Sequence, residues 1–366
     1  MRLVLATPLY PPDLGGPATY AALIEEYMPG QGDEVTVVKF GEVRHLPRGI
    51  RHLAYFFKVY AAGKKAEVIL ALDPVSTGLP ALLAARILGK PFVVKIGGDF
   101  AWEQGKQRFG ITADLDHFVR QGNVPFPVAC LRAVQNFVSH HAQLVIAPSN
   151  YLKGIIMAWG IPAQKIPVIY NTIELPAEEE TAMPIGNVVV SVGRLVSWKG
   201  ISELIDAIAT IKTTVPDVTL LIVGEGPEKD FLMKKGKEHL GDAIVFAGAR
   251  SHAETLFAIR TSSVFVLNSS YEGLSHVLIE ALGVGARIVA TDAGGNGELI
   301  EDGKNGLLVA VGDTQALAEA ITRLLTDKEM RARLGTHALE SAKRFSVSHM
   351  IKETHTLLAT LTSSTS

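Results

Sequence analysis

Short apolar runs rich in Val, Ile and Leu recur along the chain, and most are followed by a stretch with helical spacing. In the first half the runs are RLVLAT, EVTVVKF, EVILAL, PFVVKI, QLVIAPS and IPVIYN; in the second they are NVVVSVG, VTLLIVG, AIVFAG, VFVLNS, ARIVAT and GLLVAV. Most are continuous rather than alternating in polarity. That is the pattern of strands buried on both faces, as in parallel sheets covered by helices. Amphipathic stretches such as ISELIDAIATI and ALAEAITRLL lie between them. The pattern predicts the α/β class, with two doubly wound, Rossmann-like domains.

The break between the domains shows in composition. ELPAEEETAMPIGN, residues 174–187, combines prolines with an acidic run and has no apolar periodicity, as a linker does. The expected organisation is a first domain over 1–173, the linker over 174–187, a second domain over 188–345, and a further amphipathic helix in the tail 346–366. A chain of 366 residues is too long for one ordinary core, and 48% hydrophobic with 20% charged residues excludes disorder. The single cysteine, Cys130, excludes an internal disulfide and a cysteine-based metal cage. The opening MRLVLATPLYPPDLGG does not have the pattern of a signal peptide, and no apolar run approaches the roughly 20 residues of a membrane span. The expectation is a soluble, cytoplasmic protein. Net charge is −2, but residues 1–170 hold 17 Lys+Arg against 12 Asp+Glu, leaving 18 against 25 in the remainder. The first half is thus suited to an anionic surface or ligand, although chance variation between domains explains the asymmetry as well.

In doubly wound sheets ligands bind beyond the carboxyl ends of the strands, so the loops there are the places to look for chemistry. After VFVLNS comes SSYEGLSHVLIEALGVG, in which Glu272 lies in the loop, Ser275 suits an N-cap and Glu280 lies inside the following helix. Backbone N–H groups of Gly273, Leu274 and Ser275 are placed to meet an anion there, flanked by the two carboxylates. Such a pair also suits an ordinary turn residue and a surface helix charge. After NVVVSVG, Arg194 and Lys199 either offer a bidentate guanidinium and a compact ammonium for a diphosphate, with no metal required, or take part in a surface ion pair. Gly15 and Gly16, ahead of Pro17, permit close backbone approach to a phosphate or simply make a strand–helix turn. Asp99, after PFVVKI and two glycines, is either a base for an attacking hydroxyl or a helix cap. Gly224, Glu225 and Gly226 end another strand, as do Gly248 and Arg250. His117 and His276 are weaker candidates.

Taken together these residues resemble glycosyltransferase family 4, the retaining enzymes of the GT-B fold. The spacing from Glu272 to Glu280 is similar to that family's paired glutamates, and GRLVSWKG resembles its G-R-L-x-x-x-K-G element. APSNY, IYNTIE, LLIVGEGPE, VFAGAR and GGNGELI follow in the family's order. The likeness is specific in the second domain and looser in the first. It implies two Rossmann-like domains facing across a cleft, with the final helix crossing back to the first. It implies a nucleotide-sugar donor whose diphosphate is held by Arg194 and Lys199 and whose ribose is held by Glu280. Glu272, with the backbone at Gly273 and Leu274, would contact the sugar, and Gly16 would close over the phosphates. Where many relatives carry a histidine after the fourth strand, Asp99 stands here. No bound metal or other cofactor is implied, and no nucleic acid.

The implied reaction moves a sugar to an acceptor hydroxyl of a glycan, a lipid-linked molecule or a small molecule. A nucleotide-sugar epimerase of the same fold is a rival, as is a non-catalytic sugar-binding protein; a pyridoxal-phosphate phosphorylase is weaker, because no lysine stands out for a Schiff base. Finally, residues 44–65, RHLPRGIRHLAYFFKVYAAGKK, carry six Lys+Arg and no acid. Leu53, Phe56, Phe57 and Tyr60 share a helical face. The segment reads either as a crossover helix with its aromatics on the sheet or as a basic amphipathic helix at the inner face of a membrane.

Overall fold

The computed structural model describes residues 1–362 apart from Leu14, Arg48 and 175–185. Most of the expected linker and the last residues of the tail lie outside the described residues. The chain divides into two compact units, Met1–Thr172 with the C-terminal helix, and Ile173–Ser346.

The first unit contains β1 (Arg2–Thr7), α1 (Gly16–Tyr27), β2 (Glu34–Lys39), α2 (Ile50–Gly63), β3 (Val68–Ala71), α3 (Gly78–Leu88), β4 (Phe92–Lys95), α4 (Phe100–Arg108), α5 (Leu115–Arg120), α6 (Phe126–His141), β5 (Leu144–Ile146) and α7 (Asn150–Ala158). The second contains β6 (Val188–Val192), α8 (Ile201–Ile211), β7 (Thr219–Val223), α9 (Lys229–Leu240), β8 (Ile244–Gly248), α10 (His252–Thr261), β9 (Val264–Leu267), α11 (His276–Gly283), β10 (Ile288–Thr291), α12 (Asn296–Leu299), β11 (Leu307–Val309), α13 (Thr314–Thr326) and α14 (Lys328–Ala342). The last helix, α15 (Val347–Thr362), belongs to the first unit.

Every ladder is parallel. The first sheet runs β2-β1-β3-β4-β5 and the second β11-β10-β9-β6-β7-β8. Strands β3, β4, β9 and β10 are buried along their whole length, which is why they carry no polar alternation. Eleven of the twelve apolar runs become strands. The exception is IPVIYN, which contributes a single parallel bridge, Val168 opposite Ala147. Pro167 has no N–H to give a ladder, although its carbonyl accepts from Ala147.

The strand period sorts the core. Leu3, Leu5, Leu70 and Val93 pack with Tyr20 and Ile24 of α1 and with Met350, Ile351 and Leu358 of α15. Two polar links hold α15 there: Tyr20 Oη lies 3.1 Å from Thr354 Oγ1, and His355 Nδ1 lies 2.7 Å from the buried carboxylate of Asp33. Beside Tyr20, Lys95 Nζ donates to the Ile169 carbonyl at 3.2 Å, and burial pushes its pKa down to about 7. Helix α2 packs on β1 and β2, α3 packs on β3 and β4, and α3 contacts both α2 and α6. In α2 the buried residues are Tyr55, Val59 and Gly63, with Tyr55 Oη donating to the Val38 carbonyl at 2.7 Å. The stripe of Leu53, Phe56, Phe57 and Tyr60 is therefore not the sheet-facing side, and Leu53 and Phe57 are exposed.

Glycine contacts set the tightest tolerances in the second unit. A Cβ on Gly224, whose φ is +142°, would lie 1.9 Å from the Gly193 carbonyl oxygen. By contrast a Cβ on Gly154, in the exposed part of α7, would meet nothing within 4 Å. Gly224→Ala is expected to destabilise the protein by about 3 kcal/mol, through strain and overlap with backbone that cannot move aside. Gly154→Ala should instead stabilise it by about 0.5–1 kcal/mol. Urea melts of the two variants check both signs.

Candidate active site

The order of the second sheet reverses at β6. From β6 the chain runs outward through β7 to β8, then returns to place β9 on the other flank of β6. A reversal of this kind opens a crevice at the strand ends, because the two flanking crossovers leave in opposite directions. The loops that meet there are 193–200 after β6 and 268–275 after β9.

Backbone, rather than side chains, joins the neighbouring loops. Gly193 N donates to Val223 O at 3.0 Å, Gly224 N to Gly248 O at 2.9 Å, and Leu195 N to Glu225 O at 3.0 Å. A Cβ on Gly226 would lie 2.2 Å from Leu195 O, and one on Gly200 would lie 2.1 Å from Asn268 O. Asn268 Nδ2 answers by donating to Gly200 O at 2.8 Å. Side chains at these glycines would pry the strand ends apart, so the residue type follows from the approach distance.

On this platform two predicted residues meet. Lys199 ends a short turn, Ser197–Lys199, and its aliphatic stem runs 3.7 Å from where a Gly193 Cβ would stand. Its Nζ reaches Glu272 Oε1 at 2.5 Å, with the side chains 18% and 12% exposed. Ser269 Oγ donates to the same carboxylate oxygen at 2.7 Å, and Gly295 N donates to the Glu272 carbonyl at 2.9 Å. A Cβ at Gly295 would lie 2.5 Å from Gly273 O, so the loop after β10 braces the Glu272 loop directly. Arg194 sits exposed on the β6 loop.

The helix α11 begins where the β9 loop ends. Ser275 caps it, accepting from Leu278 N at 3.3 Å, and the preceding Leu274 is buried. Glu280 points from its second turn toward α10, where His252 Nε2 lies 3.1 Å from Glu280 Oε1. The hydrogen bond to that carboxylate raises the His252 pKa, outweighing its partial burial. Glu225 and Arg250 are engaged at the surface, with Lys229 at 2.8 Å and Glu254 at 3.8 Å.

The structure thus joins Lys199 to Glu272, places Gly273, Leu274 and Ser275 just ahead of α11 and Glu280 within it, and puts Arg194 and Gly224 on adjoining loops with Gly248 at the end of β8. Gly15, Gly16 and Asp99 belong to the first unit. Gly15 and Gly16 open α1, with Gly15 O accepting from Ala18 N at 2.9 Å. Asp99 is 1% exposed and caps α4, accepting from Trp102 N at 2.9 Å. Burial raises its pKa, partly offset by hydrogen bonds from Trp102 and Gln135. The contact that the structure shows for Asp99 is the cap. His117 is exposed and folds back on Asp114 at 2.8 Å, and His276 is the first residue of α11.

Sequence reasoning missed His252, Ser269 and Gly295. His252 and Glu280 are 28 positions apart, with no motif linking them. The available signal was position: His252 opens the helix that follows a strand end already marked by Gly248. Among the described residues no group of three or more His, Cys, Asp or Glu side chains is placed to hold a metal ion. The cations on hand for an anionic ligand are Arg194 and Lys199.

Comparison with known proteins agrees with this geometry. The family described as "Glycosyl transferases group 1" matches residues 178–341, and the "Glycosyl transferase 4-like domain" matches residues 3–172. Between them they account for nearly the whole chain, and it belongs to this glycosyltransferase family. A lipopolysaccharide core biosynthesis glycosyltransferase, LpsE of Rhizobium meliloti, is 35% identical over 155 residues, 42% of this chain and 44% of that one. The N-acetyl-alpha-D-glucosaminyl L-malate synthase of Bacillus anthracis is 35% identical over 144 residues, 39% of this chain and 37% of that one. The matched stretches therefore span less than half of these two relatives. Among solved structures, Anabaena Alr3699/HepE in complex with UDP-glucose superposes with a TM-score of 0.79 at 23% identity, over 99% of this chain and 100% of that one. Sucrose-phosphate synthase from Thermosynechococcus elongatus gives 0.78 at 21%, over 99% of each. These likenesses establish the GT-B fold.

Two outcomes follow. Asp99→Asn, which keeps a capping oxygen, should leave turnover within about twofold of the parent, whereas Asp99→Ala should cost about 1 kcal/mol of stability; a collapse of turnover in the Asn variant would restore Asp99 as a base. In the second, His252 should titrate above the ordinary 6.5. Its folded-state pKa is raised, so its stabilising contribution is complete below the unfolded value and fades as pH rises through the folded one. Glu280→Gln should bring the His252 imidazole signals, followed by NMR across pH, back toward 6.5.

Proposed function

We propose that this protein transfers a sugar from a nucleoside-diphosphate sugar to an acceptor hydroxyl, with retention at the anomeric carbon. The observation that carries the reading is the Lys199–Glu272 pair, held at the reversal point of the second sheet on a backbone platform of glycines. A diphosphate entering there would meet an ammonium, the exposed Arg194 guanidinium and the N–H groups that open α11. Glu272, fixed by Ser269 and the Gly295 contact, would take sugar hydroxyls, and Glu280 with His252 would take the ribose.

In the reaction the bond between the anomeric carbon and the diphosphate oxygen breaks, and a bond from that carbon to the acceptor oxygen forms. Lys199 and Arg194 stabilise the charge on the departing diphosphate, and its freed oxygen takes the acceptor proton on the same face of the sugar. Glu272 Oε1 is already engaged by Lys199 and Ser269, which argues for a binding role over a covalent nucleophile. Asp99 has no part in this scheme. Relatives named for lipopolysaccharide core synthesis favour a cell-surface glycan or glycolipid as acceptor.

Lys199→Ala should weaken nucleoside-diphosphate binding by about 2 kcal/mol, roughly 30-fold in Kd, since a charge-assisted bond is lost. Because that change also leaves Glu272 half-buried and unpaired, Lys199→Ala with Glu272→Gln should recover the melting temperature without recovering the ligand. Calorimetry with UDP, GDP and ADP reads the affinity. Binding equal to that of the parent, or formation of an epimer from the nucleotide-sugar alone with no diphosphate released, would refute transfer.

A further inference from the structure

Helices α2 and α3 lie side by side on the first sheet, α6 packs against α3, and none of the three contains an acidic residue. Their outward positions are apolar to an unusual degree. Leu53 and Phe57 of α2 are each 58% exposed, Ile87 of α3 is 65% exposed, and Leu83 and Phe137 are exposed beside them. On α2 and α3 these residues fall in i, i+4 pairs, so each helix presents a continuous outward stripe. These exposed apolar side chains are grouped on three neighbouring helices rather than scattered singly over the surface.

Apart from Glu42, the charges placed around the array are cations. Lys64 and Lys65 follow α2, Arg86 is exposed on α3 with its guanidinium 5.6 Å from the Phe137 ring, and Lys90 follows α3. Lys58 is shared with Glu42 at 2.8 Å, a pair that sits at the edge where α2 meets the loop after β2. The ends of α2 and α3 carrying these cations are adjacent, because a Cβ on Gly63 would lie 2.7 Å from Leu88. On the sheet's other face, α1 carries Glu25 and Glu26, and α15 carries Glu353.

We propose that the α2–α3–α6 face is a docking surface for an anionic phospholipid bilayer. Exposed Leu, Ile and Phe enter the headgroup region while the surrounding ammonium and guanidinium groups remain at the phosphate level. Anionic lipid is the fitting occupant, because the three helices offer large apolar side chains and cations together and carry no acid of their own to repel phosphate. Among the described residues no helix is long and apolar enough to cross a membrane, so the contact is peripheral. The inference is independent of the donor chemistry, which lies in the other unit.

Co-sedimentation of the full chain with vesicles of phosphatidylcholine, with and without phosphatidylglycerol, tests it. The protein should pellet with the anionic vesicles at low salt, scarcely with neutral ones, and less as salt rises. Leu53→Ser with Phe57→Ser and Ile87→Ser should reduce the bound fraction, and Lys64→Glu with Arg86→Glu and Lys90→Glu should reduce affinity at least about tenfold. Phe57→Trp, a conservative change at an exposed site, gives a readout that does not depend on the multiple variants: its fluorescence, after subtraction of the parent's, should shift to the blue on anionic vesicles. Absence of both pelleting and the Trp shift at low salt would overturn the proposal. So would a parental dimer that the Leu53, Phe57 and Ile87 changes make monomeric without any vesicle binding, since the face would then belong to a second copy.

Discussion

The close approach of backbone to backbone at the carboxyl ends of β6, β7 and β9 is the constraint on which the second unit's chemistry depends. Gly224, Gly226 and Gly200 each bring a Cα to a distance from a neighbouring carbonyl that no side chain tolerates. That approach narrows the crevice until a lysine from the β6 loop and a glutamate from the β9 loop can touch. Without the glycines the loops would stand further apart, and Lys199 and Glu272 would be two separate surface charges.

The pair itself is poor evidence for stability. Two half-buried charges give up hydration for an attraction that roughly repays it. Its value is positional: Lys199 fixes Glu272, Ser269 fixes it from behind, and the Gly295 contact fixes the loop that carries it. A site organised in this way presents cationic and hydroxyl-seeking groups to an incoming ligand with little left to reorganise, which is what electrostatic stabilisation of a leaving group requires. His252 and Glu280 repeat the arrangement one helical turn further on, with a titratable partner in place of a permanent cation.

The first unit is built to a different purpose. Its polar investments are internal: Asp99 caps α4, Asp33 holds α15 through His355, and Lys95 is buried against Tyr20. Its outward investment is a helical layer with aliphatic and aromatic side chains exposed and no carboxylate among them. The two halves carry nearly equal numbers of cations, 17 Lys+Arg in residues 1–170 and 18 in the remainder, and differ in their acids, 12 Asp+Glu against 25.

Much of the fold was legible in the linear chain, because strands buried on both faces must be apolar throughout and the loops at their ends must carry the glycines and charges. Glu272, Lys199 and Arg194 could be read in that way, from their place after a strand. What only the tertiary structure decided was which faces and which partners. IPVIYN looks like a strand until Pro167 is seen beside β5 with nothing to donate. The stripe of Leu53, Phe56, Phe57 and Tyr60 looks like a core face, but the sheet takes Tyr55 and Val59 instead, since a helix with apolar residues nearly all round leaves its orientation to the surface it packs on. Asp99 had two readings of equal merit, and its burial and its bond from Trp102 N are visible only in the folded chain. The pairing of His252 with Glu280 had no signature at all. Period and turn chemistry are local properties, so one chain suffices to specify them; burial and long-range pairing depend on what the rest of the chain places alongside.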